Sequence, residues 1–123
     1  MRGKKRVLIA ENDAEIRIAN VSLVKSLDYE PISVVDGTEA LQLIHTQKPF
    51  NLVISDLNMP GLDGLSLLRV LRDNPETAHI PFILYTAVSR DLIRFEEDGK
   101  TFYVKKGGPG LEEAIEAALS SRH

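Results

Sequence analysis

The sequence predicts a three-layer α/β domain, in which a parallel five-stranded sheet lies between two layers of helices. Two observations lead to this prediction. Short apolar runs alternate along the chain with segments of helical periodicity, which is the pattern of parallel strands joined by helical crossovers. The chain has 123 residues, enough for one domain with one core and too few for a comfortable second. We therefore treat residues 1–123 as a single domain with its core at about residues 6–120.

The first two strands differ in their predicted place in the sheet. Residues 7–10 form an apolar run that suits a buried strand, and from Ala14 apolar residues recur every three or four positions, as in a helix. Asp13 is well placed to cap that helix. Residues 31–35 are rich in β-formers but begin with a proline. Because proline cannot donate to a strand ladder, this second strand belongs at a sheet edge.

The middle of the chain supplies two further helices and two further strands. Residues 38–47 have apolar positions one turn apart and predict a helix. The run Leu52-Val53-Ile54 is apolar at every position, which is typical of a strand buried on both faces. Turn residues follow as far as Gly64. Residues 65–72 then predict a helix, and residues 82–85 predict the fourth strand.

The last third of the chain completes the alternation. Residues 89–98 are only weakly helical, and Gly99 is a natural stop. Residues 101–104 predict a fifth strand, and residues 111–120 predict a closing helix. Five strands thus alternate with five helices. With the second strand at an edge, the expected strand order is 2-1-3-4-5, which is that of flavodoxin-like (βα)5 folds.

Composition excludes several classes of function. Hydrophobic residues make up 43% and charged residues 27% of the chain, as in ordinary globular proteins. The net charge of −3 argues against nucleic-acid or membrane binding driven by electrostatics. The chain has no cysteine, which excludes disulfides, thiolate metal sites and cysteine catalysis. The apolar run behind the basic start is too short for a signal peptide or a membrane span, so we expect a cytoplasmic protein.

Polar residues follow four of the five predicted strands, at the edge where open parallel sheets bind ligands. They are Glu11 and Asn12, Asp56, Thr86 with Ala87, and Lys105. Two carboxylates and an amide oxygen are ligands of the kind Mg²⁺ prefers. A lysine and a hydroxyl opposite them can hold phosphoryl oxygens, and a carboxylate between metal and cation can act as a nucleophile. Each residue alone is more often a helix cap, a β-former or a solvated strand end than a functional group, so the combination carries the prediction.

The chain resembles a response-regulator receiver domain of two-component signalling. The resemblance runs from about Val7 to about Leu119, and its most specific part is Asp56-Leu-Asn-Met-Pro-Gly-Leu-Asp-Gly64. The segments Tyr85-Thr86-Ala87 and Tyr103-Val104-Lys105 support it. It implies a signalling protein rather than an enzyme with a released product. Its partners would be a histidine kinase or phosphotransfer protein and a downstream protein target, with the chain a monomer or a phosphorylation-dependent dimer.

The resemblance also implies a role for each matched residue. Asp56 would accept the phosphoryl group. Mg²⁺ would be bound by Glu11, Asn12, Asp56 and the backbone carbonyl of Asn58. Thr86, Ala87 and Lys105 would bind phosphoryl oxygens. Thr86 and Phe102 would form the switch, although Phe102 is equally well explained as an apolar strand residue.

Four departures from the family pattern qualify these expectations. Asn12 stands where the family has a metal-binding aspartate, so Mg²⁺ affinity should fall unless Glu11 or Asp13 compensates. Lys106 stands where the family has a cis proline, and we expect a trans peptide there. Thr86 and Lys105 are closer in sequence than is usual, so the helix between them should be short or irregular. Val88 cannot orient a water, so we expect a long-lived phosphoryl group.

Two other functions compete with phosphoacceptance. A receiver that binds partners without phosphorylation is suggested by Asn12 and Lys106. A small phosphatase or nucleotide-binding enzyme is disfavoured because the chain has no glycine-rich phosphate loop and no general acid or base beyond the shared carboxylates. The three histidines, His45, His79 and His123, are scattered and are expected at the surface.

Overall fold

The computed structural model describes residues 3–47 and 49–120. Within them lie five strands, four α-helices and one short 3₁₀ turn. The strands are β1 (Arg6–Ala10), β2 (Glu30–Val34), β3 (Leu52–Ser55), β4 (Phe82–Thr86) and β5 (Thr101–Lys105). The helices are α1 (Ala14–Ser26), α2 (Gly37–Thr46), α3 (Gly64–Asp73) and α4 (Leu111–Ser120). The 3₁₀ turn spans Arg90–Leu92.

The sheet is parallel throughout and has the order β2-β1-β3-β4-β5, which confirms the predicted flavodoxin-like topology. β2 lies at an edge, where its proline is tolerated. In the register, Ala10 is level with Ser55, and Thr86 is level with Lys105. The residues that follow these strands therefore meet at one edge of the sheet.

Two apolar clusters cover the two faces of the sheet, as expected for strands buried on both sides. One cluster joins the sheet to α2 and α3 and includes Ile44, Val53 and Leu67. The other joins it to α1 and α4 and includes Val24 and Ile115. This division fixes which face each β5 side chain occupies, a point on which the site depends.

Three helices begin at aspartates whose side chains accept backbone N–H groups of the first turn. Asp13 accepts from the N–H groups of Glu15 and Ile16 at the start of α1, as its sequence position predicts. Asp36 caps α2 and Asp63 caps α3 in the same way. These caps satisfy N–H groups that have no partner inside a helix. Each of these helices follows the carboxyl end of a strand.

The connection between β4 and β5 is short and irregular, as the sequence predicts, and no α-helix forms at residues 89–98. Ile93 is buried against the α2–α3 face. The connection is fastened at its far end by Arg72, which donates to Asp98 and to the Thr101 hydroxyl, each at 2.8 Å. Among the helices of the described residues, none is long and apolar enough to cross a membrane.

Candidate functional site

Asp56 lies directly after β3 and is 8% exposed. Its backbone N–H donates to the carbonyl of Ala10, which continues the β1–β3 ladder by one residue. Its Oδ1 accepts the N–H of Leu57 at 2.7 Å, and its Oδ2 lies 2.9 Å from Nζ of Lys106. The carboxylate is therefore held by a backbone donor on one side and an ammonium on the other. An acidic side chain this buried needs such partners.

Glu11 brings a second buried carboxylate to the same ammonium. It is 1% exposed, and Nζ of Lys106 lies 3.0 Å from its Oε1 and 3.2 Å from its Oε2. Oε2 also accepts the N–H of Asp13 at 3.1 Å. We call Glu11, Asp56 and Lys106 the charged trio. The charged trio therefore sets two carboxyl groups against one ammonium.

The pKa shifts of Glu11 and Lys106 follow from this geometry. Burial raises the pKa of Glu11 above its ordinary value, although the hydrogen bond from Lys106 opposes that effect. Burial alone would lower the pKa of Lys106, but its hydrogen bonds to Asp56 and Glu11 outweigh it and raise the pKa. Lys106 is therefore an ammonium across the physiological pH range.

The structure places Lys106, and not the predicted Lys105, beside Asp56. Lys105 is the last residue of β5 and is exposed. The next residue, Lys106, donates its N–H to the carbonyl of Thr86 and turns its side chain toward Asp56. Successive side chains along an extended chain point in opposite directions, so only one of two adjacent lysines can face the site. The lysine that contacts Asp56 is therefore followed by Gly107.

Thr86 is placed at the site as predicted, at the end of β4, and is 1% exposed. Its Oγ1 accepts the N–H of Val88 at 3.1 Å. The carbonyl of Val88 in turn accepts the hydroxyl of Tyr103 at 2.6 Å. Ala87, between them, is exposed. A hydrogen-bonded chain thus runs from Thr86 through Val88 to β5.

The same one-residue shift applies to the predicted switch aromatic, Phe102. Phe102 packs on the α1–α4 face of the sheet, away from Val88. Tyr103 packs on the α2–α3 face and is the β5 aromatic that bonds the segment after Thr86. The alternative interpretation of Phe102, as an apolar strand residue, agrees with this placement.

The predicted metal ligands are only partly brought together. Glu11 and Asp56 present carboxylate oxygens to one cation, as their contacts with Lys106 show, and this is the donor chemistry that Mg²⁺ takes. Asn12 and Asn58 are exposed, and Asp13 serves as the α1 cap. Within residues 3–47 and 49–120, no group of three or more Asp, Glu, His or Cys side chains is placed to hold a metal ion. The described residues therefore bring two carboxylates, and not three, to this position.

Two glycines, at the starts of α2 and α3, allow the loop after Asp56 to pack closely against these helices. A Cβ added to Gly64 would lie 2.2 Å from the carbonyl oxygen of Asp56, and one added to Gly37 would lie 1.8 Å from that of Leu62. Both distances are far inside van der Waals contact, so only glycine fits at these positions. The loop that carries Asn58 is thereby packed against the starts of α2 and α3.

The parallel sheet thus carries a buried aspartate, a lysine and a threonine at the edge formed by the carboxyl ends of its strands. The chain matches the response regulator receiver domain family over residues 7–117, and it belongs to that family. Proteins of this class act in signalling and are not enzymes in the ordinary sense.

Individual relatives agree with this assignment. A probable chemotaxis protein CheY from Rhizobium etli is 36% identical over 85 residues, which cover 68% of this chain and 65% of that protein. A gliding motility regulatory protein from Myxococcus xanthus is 32% identical over 114 residues, covering 91% of this chain but 14% of that protein. The receiver domain of a sensor histidine kinase from Pseudomonas aeruginosa, solved with a magnesium ion in its active-site cleft, shares the fold. It has a TM-score of 0.82 and 22% identity, and the match covers 98% of this chain and all of that one.

Lys106, which contacts Asp56, and Tyr103, which bonds Val88, are the residues that sequence reasoning did not single out. Both stand next to the residue that was predicted, Lys105 and Phe102 respectively. The separation from Phe102 to Lys105 is the same as that from Tyr103 to Lys106. Spacing alone therefore does not show which of the two pairs faces the site. The one available signal was chemical, since a half-buried tyrosine needs a partner for its hydroxyl and a phenylalanine does not.

Proposed function

We propose that Asp56 is a phosphoacceptor that receives a phosphoryl group from the phosphohistidine of a histidine kinase or a phosphotransfer protein. An Asp56 carboxylate oxygen would form the new P–O bond while the P–N bond of the phosphohistidine breaks, and the imidazole leaves with the electron pair. The observation that carries this proposal is the 2.9 Å contact between the Lys106 ammonium and a buried Asp56 carboxylate.

The neighbouring residues have matching roles in the proposal. Lys106, in place of the predicted Lys105, would pair with a phosphoryl oxygen after transfer, because its ammonium already lies beside the reacting carboxylate. The Thr86 hydroxyl and the N–H of Ala87 would bind other phosphoryl oxygens. Glu11 and Asp56, with the backbone carbonyl of Asn58 and the side chain of Asn12, would hold Mg²⁺. When bound, Mg²⁺ would neutralise charge that builds on the oxygens during transfer.

The hydrogen-bonded chain from Thr86 to Tyr103 supports a switch. If Thr86 turns its hydroxyl to a phosphoryl group, its bond to the Val88 N–H is strained or lost. Because Tyr103 bonds the carbonyl of the same residue, the change would pass to β5. The output would be binding to a protein target by a cytoplasmic chain, without contact to nucleic acid or membrane. The chain itself would be a monomer or a phosphorylation-dependent dimer.

The test is incubation with acetyl phosphate or beryllofluoride, with and without Mg²⁺, followed by intact mass spectrometry and NMR. A Mg²⁺-dependent adduct that is lost in Asp56→Asn supports phosphoacceptance. The exposed neighbour variant Asn58→Ala serves as a control that keeps the adduct, because its proposed ligand is a backbone carbonyl. The absence of any adduct at saturating Mg²⁺ contradicts the proposal.

A phosphorylation-independent receiver is the second candidate function. It is favoured by one observation, the pairing of both buried carboxylates with Lys106, which stabilises the site without metal or phosphate. In that case a binding partner captured by the wild-type protein would bind Asp56→Asn and the wild type with equal affinity.

A further inference from the structure

A cavity of about 460 Å³ lies at the edge of the sheet opposite to the one that carries Asp56. The strands are parallel, and four residues that line the cavity directly precede β1, β3, β4 and β5, namely Lys5, Asn51, Pro81 and Lys100. The end of α4 also lines it. A volume of this size is typical of small-molecule sites in proteins. A ligand bound here would not contact Asp56.

Aromatic and small apolar side chains supply one part of the lining. Phe102 lines the cavity and is only half-buried, so part of this aromatic residue stays uncovered by the protein. Ala117 and Ala118 on α4 are small and leave space on the helix side of the cavity. Aromatic rings stack or pack edge to face with other flat rings. This part of the cavity therefore suits a flat, apolar group.

Three basic side chains, those of Lys5, His79 and Lys100, supply the other part of the lining. Nζ of Lys5 donates to the carbonyl of Leu119 at 2.6 Å, which satisfies one of the free carbonyls at the end of α4. The ammonium of Lys100 pairs with no carboxylate in the described part of the chain. Lys100 is therefore the cation that can take a ligand without giving up another partner.

The charge of the lining contrasts with that of the whole chain. The chain has 18 acidic residues and a net charge of −3, yet no carboxylate is among the described residues that line the cavity. A concave basic region of this kind attracts anions. Because the Lys5 ammonium is already engaged by Leu119, the lining suits a single negative charge better than a multiply charged group.

We propose that this cavity is a binding site for a small aromatic monocarboxylate. The ring of the ligand packs against Phe102 and the small side chains of α4, and its carboxylate accepts a hydrogen bond from the Lys100 ammonium. His79 can donate a second hydrogen bond, since an imidazole carries an N–H in either protonation state. The site is separate from the proposed phosphoacceptor and does not depend on it. It gives Phe102 a role as a ligand contact in place of the predicted switch.

The first test is an NMR titration of the wild type with 2-naphthoate, 2-naphthamide and hexanoate. Naphthoate should bind with a Kd of about 1 mM or tighter. Naphthamide keeps the rings without the charge, hexanoate keeps the charge without the rings, and each should bind at least about fivefold more weakly. The shifted signals should centre on residues 100–102 and 117–119. Naphthamide or hexanoate that binds as tightly as naphthoate, no saturable shift, or shifts centred on residues 56 and 86–88 would overturn the proposal.

The second test changes the charge of the lining. Lys100→Gln should weaken naphthoate binding by about fivefold or more, because it removes the ammonium but leaves the backbone bonds of Lys100 in place. Lys105→Gln removes the same charge from an exposed residue at the other edge of the sheet and should change the Kd by less than about twofold. Equal Kd values in the two variants would overturn the assignment of Lys100.

The third test fills the cavity. Ala117→Leu keeps a good helix former in α4 and should weaken naphthoate binding by at least about tenfold, because the larger side chain takes the space of the ring. Ala19→Leu makes the same change at an exposed position of α1 and should bind as the wild type does. Asp56→Asn should also bind naphthoate with the wild-type Kd, so this site and phosphoacceptance can fail separately. Undiminished binding by Ala117→Leu would place the ligand elsewhere and overturn the proposal.

Discussion

The hydroxyl of Tyr103 on β5 donates a 2.6 Å hydrogen bond to the backbone carbonyl of Val88, two residues beyond Thr86. The N–H of Val88 donates to Oγ1 of Thr86 at 3.1 Å, so both backbone groups of one residue are engaged. Because residues 87–100, all of which the structure describes, form no α-helix, these bonds hold the start of an irregular connection. The position of Thr86 is thereby coupled to that of a β5 side chain.

Tyr103→Phe should lower the free energy of unfolding by about 1 kcal/mol, because it removes this half-buried bond and leaves the Val88 carbonyl without its partner. Amide exchange should become faster in residues 88–93 in particular. Urea denaturation and hydrogen exchange measure the two effects. The control is Tyr29→Phe, whose hydroxyl bonds Glu116 at the exposed surface, and which should cost about 0.5 kcal/mol or less. Equal losses in the two variants would contradict a special role for Tyr103.

Asp98→Asn should destabilise the domain in a pH-dependent way. Burial would raise the pKa of Asp98, but hydrogen bonds from the Lys100 N–H, Thr101 and Arg72 outweigh it and hold that pKa below its ordinary value. A depressed pKa means that the carboxylate stabilises the fold at pH values above the unfolded-state pKa, near 3.9, and that this contribution is lost as the pH falls through the folded-state pKa. The wild type should therefore lose stability on acidification below about pH 4, and Asp98→Asn should lose less.

At neutral pH the cost of Asp98→Asn should be about 1–3 kcal/mol, because the side chain is mostly buried and its partner Arg72 is 16% exposed. Urea denaturation at several pH values measures both effects. The matched control is Glu97→Gln, which breaks an ion pair with Arg90 in which Glu97 is 77% exposed. That variant should change stability by about 0.5 kcal/mol or less. A pH-independent cost for Asp98→Asn would show that the charge of Asp98 plays no part.

The fold was predictable because its signals are local and redundant. Each strand except β2 is a short apolar run, and Pro31 marks β2 as an edge strand. Asp13 marks the start of α1 because its side chain caps the first turn, an interaction that involves only residues close to it in sequence. The weak helix signal at residues 89–98 was informative too, since the structure forms only a 3₁₀ turn there.

The placement of Asp56, Thr86 and Glu11 at one edge of the sheet was predictable, because each directly ends or follows an apolar strand. The placement of side chains at β5 was not predictable. Two lysines follow two aromatic residues there, and the spacing from aromatic residue to lysine is the same in both pairs. The register is decided by contacts that are distant in sequence. Val104 packs under α4, and the N–H of Lys106 bonds the Thr86 carbonyl. Whether a metal can bind with Asn12 in place of an acid depends on how the side chains of the charged trio are arranged. No local sequence pattern encodes that arrangement.

Gly37→Ala should disturb the loop after Asp56 from a distance. The added Cβ would meet the carbonyl oxygen of Leu62 at 1.8 Å, so either α2 or the loop must shift. Overpacking of this kind should cost about 1–3 kcal/mol and slow acquisition of the Asp56 adduct. Gly108→Ala is the control, because its Cβ would lie 3.7 Å from the nearest atom, the Lys105 carbonyl oxygen. Urea denaturation and the rate of beryllofluoride adduct formation test the pair, and a Gly37→Ala protein as stable as Gly108→Ala would contradict the close approach.

A phosphoryl group on Asp56 should survive for minutes or longer. Hydrolysis needs a water oriented toward the phosphorus, and a side chain near the site must accept or hold that water. Val88 is apolar, is half-buried, and packs against the α2–α3 core, so it offers no such group. Val88→Glu should shorten the lifetime several-fold by supplying a carboxylate, whereas Val88→Ala should leave it unchanged. Phosphorylation with acetyl phosphate, removal of the donor and intact mass spectrometry at intervals give the three lifetimes. Loss of the wild-type phosphoryl group within seconds would contradict this prediction and would mean that another residue orients the water. Substitution of the exposed Asn58 would then be the next experiment.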